Sequence, residues 1–448
     1  MPPANRTTSP LSPPAAVLEI AAVLTRAGFE TWCVGGAVRD ALLGASHLDW
    51  DLATAATPKQ VRKLFRRTIP VGIEFGTVGV LDAEGTMHEV TTFRRDVRTD
   101  GRHAVVEFGA SLDDDLARRD FTINAIAYSP STGEIRDPFG GRADLERRVV
   151  RAVGDAAARM REDRLRALRA IRFAARFEFR IEPATWSAIV ESAPHLGRLS
   201  MERVKQELEK TMEQVACPSV ALRLWRESGA LRTLVPALAE VSDVTLASLD
   251  AIARPAKGAR PERRIERLTA LLAELPGPGA ERAARALRFS NADVAWIGGV
   301  VGRWRELEPA IRGALDADAP PSDEVMRRWI GRTGRTRARA VLRLAAARFS
   351  GERRTGAEVP GGVPLPARVR SVYRRAIRIA FRDPVEVGDL AVDGDDLRAA
   401  GIPPGPTLGK VLLLLLDDVL ADPSRNRRDW LLERARAHFE RLTGAVRP

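Results

Sequence analysis

The sequence has only two cysteines and no long apolar run. Cys33 and Cys217 are far apart in the chain and form no CxxC pattern, which argues against a disulfide framework, so we expect both in the core. The longest aliphatic run, residues 411–416, is far shorter than the roughly 20 residues of a membrane-spanning helix. The Pro-rich start, residues 1–14, has no apolar signal core. We therefore expect a cytoplasmic protein without a membrane segment.

Acidic residues are outnumbered by basic ones. The formal net charge is +12 and the sequence pI is about 10.6. A basic protein favours a polyanionic partner because each neutralised phosphate releases counterions. RNA fits this charge better than a membrane does. The alternative is that many of the arginines simply form solvated helix faces.

Strand patterns are confined to the first third of the chain. Residues 1–14 contain five prolines and no periodicity, which indicates a disordered leader. Residues 15–27 have the apolar spacing of an amphipathic helix. Four β-rich runs follow, at residues 31–34, 49–52, 77–81 and 88–93. Residues 15–150 are therefore predicted to form an α+β head with a mixed sheet.

The remaining two thirds are predicted to be helical. Helical spacing recurs at residues 161–179, 184–192, 201–214 and 220–228. Breaks rich in Pro, Gly or charge fall at residues 254–262, 276–279, 317–323 and 350–366. We expect an elongated all-α part that follows the head and consists of a neck (151–215), a body (216–310) and a tail (311–448).

A glycine pair follows the first predicted strand. Gly35 and Gly36 stand where a strand ends and a helix opens near Ala37, with Arg39 one turn further. Glycines let backbone N–H groups approach a phosphate at a helix N-terminus, where the helix dipole also favours an anion. A lone glycine turn is weak evidence for a phosphate site, so this interpretation depends on the motifs that follow it in the sequence.

Two aspartates follow within a few residues. Because side chains alternate along a strand, Asp49 and Asp51 are expected on one face. Two carboxylates that lie so near each other stay ionised most easily when a cation lies between them, and oxygen ligands suit Mg²⁺. The pair is therefore a candidate catalytic and magnesium-binding site of the two-metal kind. An isolated pair of this type is more often two surface residues, and the preceding glycines reverse that judgement.

Further polar residues of the head could complete this site. Glu89 lies in a β-branched run suited to a strand beside the aspartate strand, and it is a candidate third acid. Downstream, Arg119 could clamp a triphosphate, while Asp120 and Asn124 could bond a ribose hydroxyl. Alone, each would be an ordinary surface residue.

In order and spacing, these segments resemble the head motifs of class II tRNA nucleotidyltransferases and bacterial poly(A) polymerases. The motifs are Gly-Gly-Ala-Val-Arg-Asp at 35–40, Asp-Trp-Asp at 49–51, Glu-Val-Thr-Thr-Phe at 89–93 and Arg-Arg-Asp-Phe-Thr-Ile-Asn-Ala at 118–125. The resemblance implies that Asp49 and Asp51 hold the catalytic Mg²⁺ ions, with Glu89 as the third acid. Similarity extends over about residues 15–440.

A neck motif of the same family is similar to residues 162–166, with Asp163 and Arg166 within it. If one helix carries both residues, they share a face. The Asp163 carboxylate can accept from an amino group while the Arg166 guanidinium donates to an unprotonated ring nitrogen. Cytosine and adenine both present these two groups side by side. Guanine and uracil would meet mispaired groups there, so the pair could select C and A without a template. The alternative is an ordinary surface ion pair.

The resemblance implies an activity and its partners. The RNA 3′-hydroxyl would attack CTP or ATP and release pyrophosphate, and the chain would add C, C and A to tRNA. Rival interpretations are a poly(A) polymerase, an enzyme that adds only CC or only A, and a catalytically silent RNA-binding protein. The last would be signalled by loss of an aspartate, and both are present.

Three later segments bear on these alternatives. A flexible segment expected at residues 94–107 would help the switch from C to A, and here it lacks the usual proline after His103. Some family members carry a His-Asp doublet near residues 264–276, which this sequence lacks, so we expect no phosphohydrolase activity there and a packing role. The arginine cluster at 327–339 is a candidate RNA contact, with a solvated basic helix as its alternative.

Overall fold

The helix predicted at residues 15–27 is α1 (Ala15–Arg26). Its buried residues, Val17, Ile20, Ala21 and Leu24, recur at intervals of three and one, so they form a single apolar stripe. The computed structural model describes residues 11–45, 49–99, 104–252 and 263–444. These divide into two units: unit 1 is residues 1–216 and 223–236, and unit 2 is residues 217–222 and 237–448.

Unit 1 begins with the predicted α+β head. After α1 its elements are β1 (Thr31–Val34), α2 (Gly36–Leu42), β2 (Asp51–Thr54), α3 (Pro58–Leu64), β3 (Thr68–Gly72), β4 (Thr77–Leu81), β5 (Met87–Thr92), β6 (Arg94–Thr99), β7 (Ala104–Phe108), α4 (Leu112–Ala117), β8 (Ala127–Tyr128), β9 (Ile135–Arg136) and α5 (Gly141–Glu146). Strands β1 and β4 have the predicted bounds. The aspartate strand starts two residues later than predicted, so Asp49 precedes it.

Seven strands form one mixed sheet in the order β3-β4-β5-β2-β1-β8-β9. The β2–β5 pair is parallel, whereas the other neighbours are antiparallel. On one face the core includes Trp32, Val34, Phe93 and Leu116. On the other face Leu52 and Val90 are fully buried. Both faces of the central strands are therefore covered, and the ends of these strands remain for a site.

Unit 1 continues with the helices of the predicted neck. Its further elements are β10 (Val149–Val150), α6 (Ala156–Glu162), α7 (Leu165–Phe177), β11 (Arg180–Ile181), α8 (Pro183–Ser192) and α9 (Met201–Gln214), followed by α10 (Pro218–Glu227), which both units share, and α11 (Ala230–Leu234). Helix α9 has the predicted bounds.

The continuous helix predicted at residues 161–179 is wrong. It is split at Asp163, whose φ of −146° and ψ of 104° are extended. The Asp163 carboxylate accepts a hydrogen bond from the Leu165 amide at 3.1 Å. Aspartate competes for backbone donors in this way, so a helix ends and a second one begins although the apolar spacing continues.

The described residues of unit 2 form helices and no strands. They are α12 (Asp243–Ala251), α13 (Arg263–Leu271), α14 (Gly277–Ala286), α15 (Asn291–Asp316), α16 (Asp323–Thr333), α17 (Arg335–Thr355), α18 (Pro366–Arg382), α19 (Gly394–Ala399), α20 (Pro406–Ala421) and α21 (Arg428–Thr443). The α+β head followed by helices is thus confirmed. The predicted packing role of residues 264–276 agrees with the buried Ile265, Leu268 and Leu271 of α13.

Three predicted breaks can be compared with unit 2. The one at residues 276–279 is placed too late, because α13 ends at Leu271 and α14 already begins at Gly277. The one at residues 317–323 is confirmed between α15 and α16, while the one at 350–366 begins too early because α17 continues to Thr355. Gly351 explains this difference: a Cβ there would lie 2.5 Å from the Val244 carbonyl, so glycine permits close approach of α12 rather than a helix end. The break at 254–262 lies outside the described residues.

The predicted core position is confirmed for one of the two cysteines and wrong for the other. Cys33 is buried in β1, but Cys217 is exposed, so its predicted core position is wrong. Cys217 directly precedes Pro218, the first residue of α10, and lies outside the helix. Within the described parts of the chain, no helix has both the length and the apolar character needed to cross a membrane.

Candidate active site

Asp51 and Glu89 lie beside each other on adjacent strands. Leu52 of β2 pairs with Val90 of β5 in parallel register. Leu52 and Val90 point to one face of the sheet, so the preceding residues, Asp51 and Glu89, share the other face, with Asp51 opposite Val34. Asp49 lies just before β2 and is exposed. The three predicted acids therefore converge near the start of one pair of strands.

The charge of Asp51 is disfavoured by its surroundings. Burial, together with the nearby carboxylates of Glu89 and Asp49, raises the pKa of Asp51 from 3.8 to about 6, while Arg119 opposes the shift. Burial and the Asp51 charge also raise the pKa of the Cys33 thiol to about 12. In the described residues no three His, Cys, Asp or Glu side chains are grouped tightly enough to surround a metal ion. The acids thus interact through their charges without forming a closed ligand cage.

Gly35 lies next to Arg119, whose charge acts on Asp51 of the acid cluster. The Gly35 φ of 76° is a left-handed conformation that glycine adopts without strain, and α2 begins directly after it. A Cβ at Gly35 would lie 3.0 Å from Nη1 of Arg119. The predicted phosphate turn and the predicted phosphate-binding arginine are therefore neighbours in space. Gly36 opens the first turn of α2, as predicted.

Asp115 holds Arg119 in place and was not singled out by the sequence. Asp115 is buried and accepts hydrogen bonds from Arg119 Nη2 at 3.0 Å and from Arg118 Nη2 at 2.8 Å. Burial alone would raise its pKa, but the two guanidinium groups hold the pKa of Asp115 below its usual value. One guanidinium edge of Arg119 is thus committed to Asp115. The signal in the sequence was an acid three and four residues before two arginines.

Arg39, Asn124 and Asp120 form one buried hydrogen-bond network. Arg39 Nη1 donates to Asn124 Oδ1, and Asn124 Nδ2 donates to Asp120 at 2.8 Å. Asp120 also accepts from Arg169 at 2.9 Å. Both ends of the Asn124 amide therefore have protein partners. In this structure these three predicted nucleotide-binding residues tie the start of α2 to the neck.

Aromatic side chains of α7 complete this junction. The Arg39 guanidinium lies over the rings of Phe173 and Phe177 at 5.0 and 4.8 Å from their centroids. Asp40 accepts from Arg39 Nε at 2.6 Å and from Arg176 at 3.1 Å. The head and the first neck helices are locked together by these contacts, none of which the sequence spacing had indicated.

The predicted pair of Asp163 and Arg166 on one helix face is wrong. Arg166 belongs to α7 and donates to Glu162 at 2.8 Å and to the Arg118 carbonyl at 2.9 Å. Asp163 lies between the helices and accepts from Arg203 at 2.7 Å. Because the helix breaks at Asp163, the three-residue separation no longer places the two side chains on one helix face. Arg166 is oriented by Glu162, and it reaches the same segment of the head as Arg119.

The segment at residues 94–107 is largely a β-hairpin. Strands β6 and β7 pair in an antiparallel two-stranded sheet of their own, and Arg95 bonds Glu107 at 2.8 Å. Residues 100–103, which include the histidine whose following proline was missing, lie outside the described residues. The expected role of the segment in switching nucleotides stays a prediction.

Comparisons with known proteins agree with this geometry. A family model described as "Poly A polymerase head domain" matches residues 31–151, and one described as "Probable RNA and SrmB- binding site of polymerase A" matches residues 178–241. The CCA-adding enzyme of Geobacillus kaustophilus is 37% identical over 424 residues, which cover 93% of this chain and 96% of the relative. That of Geobacillus stearothermophilus is 37% identical over 422 residues, 92% and 95% of the two chains.

Solved structures share the fold over the same length. The Bacillus stearothermophilus CCA-adding enzyme in complex with CTP matches with a TM-score of 0.73 and 34% identity, covering 96% of this chain and 100% of that one. The Thermotoga maritima CCA-adding enzyme complexed with tRNA-CCA matches with a TM-score of 0.66 at 21% identity, which supports the fold alone. Because identity with curated relatives extends over nearly their whole length, this chain belongs to the family of the CCA-adding enzymes, the class II tRNA nucleotidyltransferases that its head motifs resemble.

Proposed function

We propose that this chain adds C, C and A to the 3′ end of tRNA, with CTP and ATP as substrates and pyrophosphate as the second product. The observation that carries the proposal is the convergence of Asp49, Asp51 and Glu89 beside Gly35 and Arg119. Full-length relatives named CCA-adding enzymes support this product over the other reactions of the superfamily. tRNA precursors would meet such an enzyme in the cytoplasm.

The donor set of the head fits a divalent metal, and membership of a nucleotidyltransferase family implies one in general terms. Two or three carboxylates that repel one another favour a hard cation between them. We assign Asp49 and Asp51 as the ligands of Mg²⁺ and Glu89 as the adjacent acid. When bound, Mg²⁺ would lower the pKa of the RNA 3′-hydroxyl and neutralise charge on the triphosphate.

The protein groups would position the two reactants. The 3′-hydroxyl attacks the α-phosphate in line, and pyrophosphate departs from the opposite side. Arg119, held by Asp115, would face the triphosphate beside the Gly35 turn, where a side chain at residue 35 would collide with its guanidinium. The network of Arg39, Asn124 and Asp120 would keep α2 and the neck in register during this step.

Nucleotide choice is assigned to the neck, residues 151–215, and tRNA binding to the tail, residues 311–448. Arg166 and Asp163 remain proposed nucleotide-binding residues, as two separate contacts from the start of α7 and from the break before it rather than as one pair on a helix face. The tether from Glu162 to Arg166 supports a fixed donor fork, since a guanidinium held at 2.8 Å by a carboxylate cannot rotate freely. Selection then depends on the orientation of one buried arginine.

The test is nucleotide addition resolved at single-nucleotide length. Purified protein is incubated with Mg²⁺, CTP and ATP and with tRNA transcripts that end before the first C, after one C, after CC, or after CCA. We expect completion to CCA and no further growth. Addition of CC alone, of A alone or of a long A tail would reassign the product within the superfamily. No incorporation into any transcript would refute the proposed activity.

Matched variants link the product to the acids. Asp51→Asn keeps the shape of the side chain but removes its charge, and we expect the rate to fall at least about 10³-fold, because both carboxylates are needed to hold the metal. The control is Glu84→Gln, which removes an exposed carboxylate beside the same sheet, outside the acid cluster. Equal activity of the two variants would remove the acids from the proposed site.

A further inference from the structure

Exposed apolar side chains lie on the face of the head sheet that carries the acids. Met87 of β5 is two residues before Glu89, so the two side chains point to one face. Ile69 of β3 pairs with Gly79 of β4, which in turn pairs with Glu89, and paired residues share a face. Met87 is 38% exposed and Ile69 is 41% exposed. Both side chains are therefore open to solvent on the same face as the acids.

Gly79 allows a third apolar side chain to join them. A Cβ at residue 79 would lie 2.7 Å from Met87 Sδ and 3.0 Å from Val71 Cγ2, so the side chains of Met87 and Val71 meet above the glycine. Val71 is 41% exposed. Any larger residue at position 79 would displace them. Ile69, Val71 and Met87 thus form one apolar surface over β3 and β4, which we call the apolar platform.

The apolar platform and the phosphate turn lie on opposite sides of the acids. Across the sheet the strand order is β3-β4-β5-β2-β1. Glu89 and Asp51 are on the two middle strands, β5 and β2, whereas Gly35, with Arg119 beside it, directly follows β1. In-line displacement puts the attacking oxygen and the departing pyrophosphate on opposite sides of the α-phosphorus. With the triphosphate at Gly35, the RNA 3′-hydroxyl would therefore approach from the side of the apolar platform.

We propose that the apolar platform binds the base of the 3′-terminal nucleotide of the RNA and so places its 3′-hydroxyl at Glu89 and Asp51. The inference rests on the proposed function for the reaction. The occupant is a base rather than a phosphate, because the platform side chains carry neither a charge nor a hydrogen-bond donor. Every base has an apolar face that such a surface can cover.

The residue types of the platform suit an RNA end that changes during the reaction. The terminal nucleotide is not the same before each of the three additions, so hydrogen bonds to base edges would favour one step over the others. Apolar contact with the base face makes no such distinction. Met87 adds a flexible, polarisable side chain that adapts to surfaces of different shape. The platform would thus accept each end in turn, while the choice of the incoming nucleotide belongs to the neck.

The first test compares RNA ends with and without the terminal base. Two transcripts that end in CC, one complete and one whose last ribose lacks its base, are extended by the full-length protein with ATP and Mg²⁺. For wild type we expect the KM for the abasic transcript to be raised about 5–20-fold, because the apolar contact is lost. The double variant Met87→Ser, Val71→Ser should treat the two transcripts alike. Met87→Leu, which keeps an apolar side chain, should retain most of the difference.

The control is Leu18→Ser, which removes an exposed apolar side chain from α1, a helix outside the platform. It should distinguish the two transcripts as wild type does. Equal KM values for wild type, or a double variant that still distinguishes the transcripts fully, would overturn the proposal. A raised KM for ATP with an unchanged difference between transcripts would assign the platform to the incoming nucleotide instead. Circular dichroism monitors folding, and Met87→Gln, a side chain of similar length, repeats the comparison if the double variant does not fold.

The second test locates the terminal base without catalysis. A transcript with 4-thiouridine as its last nucleotide is photocrosslinked to the wild-type protein without CTP or ATP. Trypsin then releases residues 68–94, which contain all three platform side chains, as a single peptide for mass spectrometry. We expect crosslinks to Ile69, Val71 or Met87. Crosslinks confined to the neck helices would overturn the proposal. If wild type adds no nucleotide to any transcript, the proposed function fails, whereas the crosslink still decides whether an RNA end occupies the platform.

Discussion

The candidate active site of unit 1 gathers like charges, whereas the ion pairs of unit 2 join opposite charges. In unit 1, burial and the charges of two nearby acids, Glu89 and Asp49, raise the pKa of Asp51. In unit 2, Arg312 bonds Glu352 at 2.7 Å, and Arg335 bonds Asp389 at 2.6 Å. Like charges that converge cost stability unless a ligand neutralises them, so they mark sites. Paired charges hold neighbouring elements together or orient a site residue, as Asp115 does for Arg119.

The arginine cluster predicted to contact RNA illustrates the difference. Arg327 is buried and donates to the carbonyls of Leu420 and Ala421, at 2.6 and 3.2 Å, and to Asp383 at 3.1 Å. Its predicted RNA contact is therefore wrong: it satisfies the last carbonyls of α20. Arg328 bonds Glu324 and Asp417. The density of arginine in the sequence did not reveal which residues are internal.

The largest expected effect on stability comes from removing this internal arginine. Arg327→Met would leave two helix carbonyls and a carboxylate without their donor, so we expect the free energy of unfolding to fall by about 2–4 kcal/mol. Urea denaturation followed by tryptophan fluorescence measures it. The control is Arg332→Gln, an exposed arginine of α16. Weaker tRNA binding by the folded variant, with unchanged stability, would contradict the pairing role.

Removing the charge of an acid in the cluster should raise the free energy of unfolding rather than lower it. Because the pKa of Asp51 is raised from 3.8 to about 6, its ionisation opposes folding, and this penalty develops as the pH rises from about 4 to 6. Asp51→Asn should therefore be more stable than wild type by about 1–2 kcal/mol at pH 8, with the advantage shrinking toward pH 4. Thermal unfolding in EDTA measures it.

The matched control for this prediction is Asp113→Asn. Its partner Arg136 holds the pKa of Asp113 below the usual value, so its ionisation favours folding. The variant should lose a little stability at pH 8, and the difference should vanish as the pH falls below the ordinary aspartate range. If both variants shift in the same direction, the contrast between gathered and paired acids fails.

The smallest expected effect is at Arg198, whose positive charge acts on Arg164. Arg198→Gln removes a repulsion from Arg164, so we expect stability within about 0.5 kcal/mol of wild type and no decrease. Differential scanning calorimetry at low salt, where the repulsion is least screened, measures it. A clear decrease in stability would mean that Arg198 is a packing residue, like Arg327. It would then contradict the distinction between repelling and paired charges.

Local elements of the fold were largely predictable, because period and composition decide them. The bounds of β1, β4 and α9 agree with the sequence patterns, and the helix after Gly35 begins where the glycine pair indicated. Predictions failed where a side chain competed with the pattern. Asp163 broke an apolar helical spacing, and Gly351, which usually signals a break, allowed two helices to approach.

The sequence predicted which residues form the candidate site but not which hydrogen bonds they make. The structure brings together Asp49, Asp51 and Glu89, while their role as metal ligands stays a prediction. Asp115 and Glu162, which orient Arg119 and Arg166, were missed. Each orienting acid is an ordinary helix residue in the sequence, and only its burial beside an arginine distinguishes it.

By itself the sequence determined the family, the α+β head with its helical continuation, and the residue types at the site, because motif order and hydrophobic period are local properties. The tertiary structure alone decided which charges meet. Register between β2 and β5 put Glu89 beside Asp51, and packing of α7 against the head brought Arg169 to Asp120. Electrostatic energy depends on distance and burial, and neither can be read from positions along the chain.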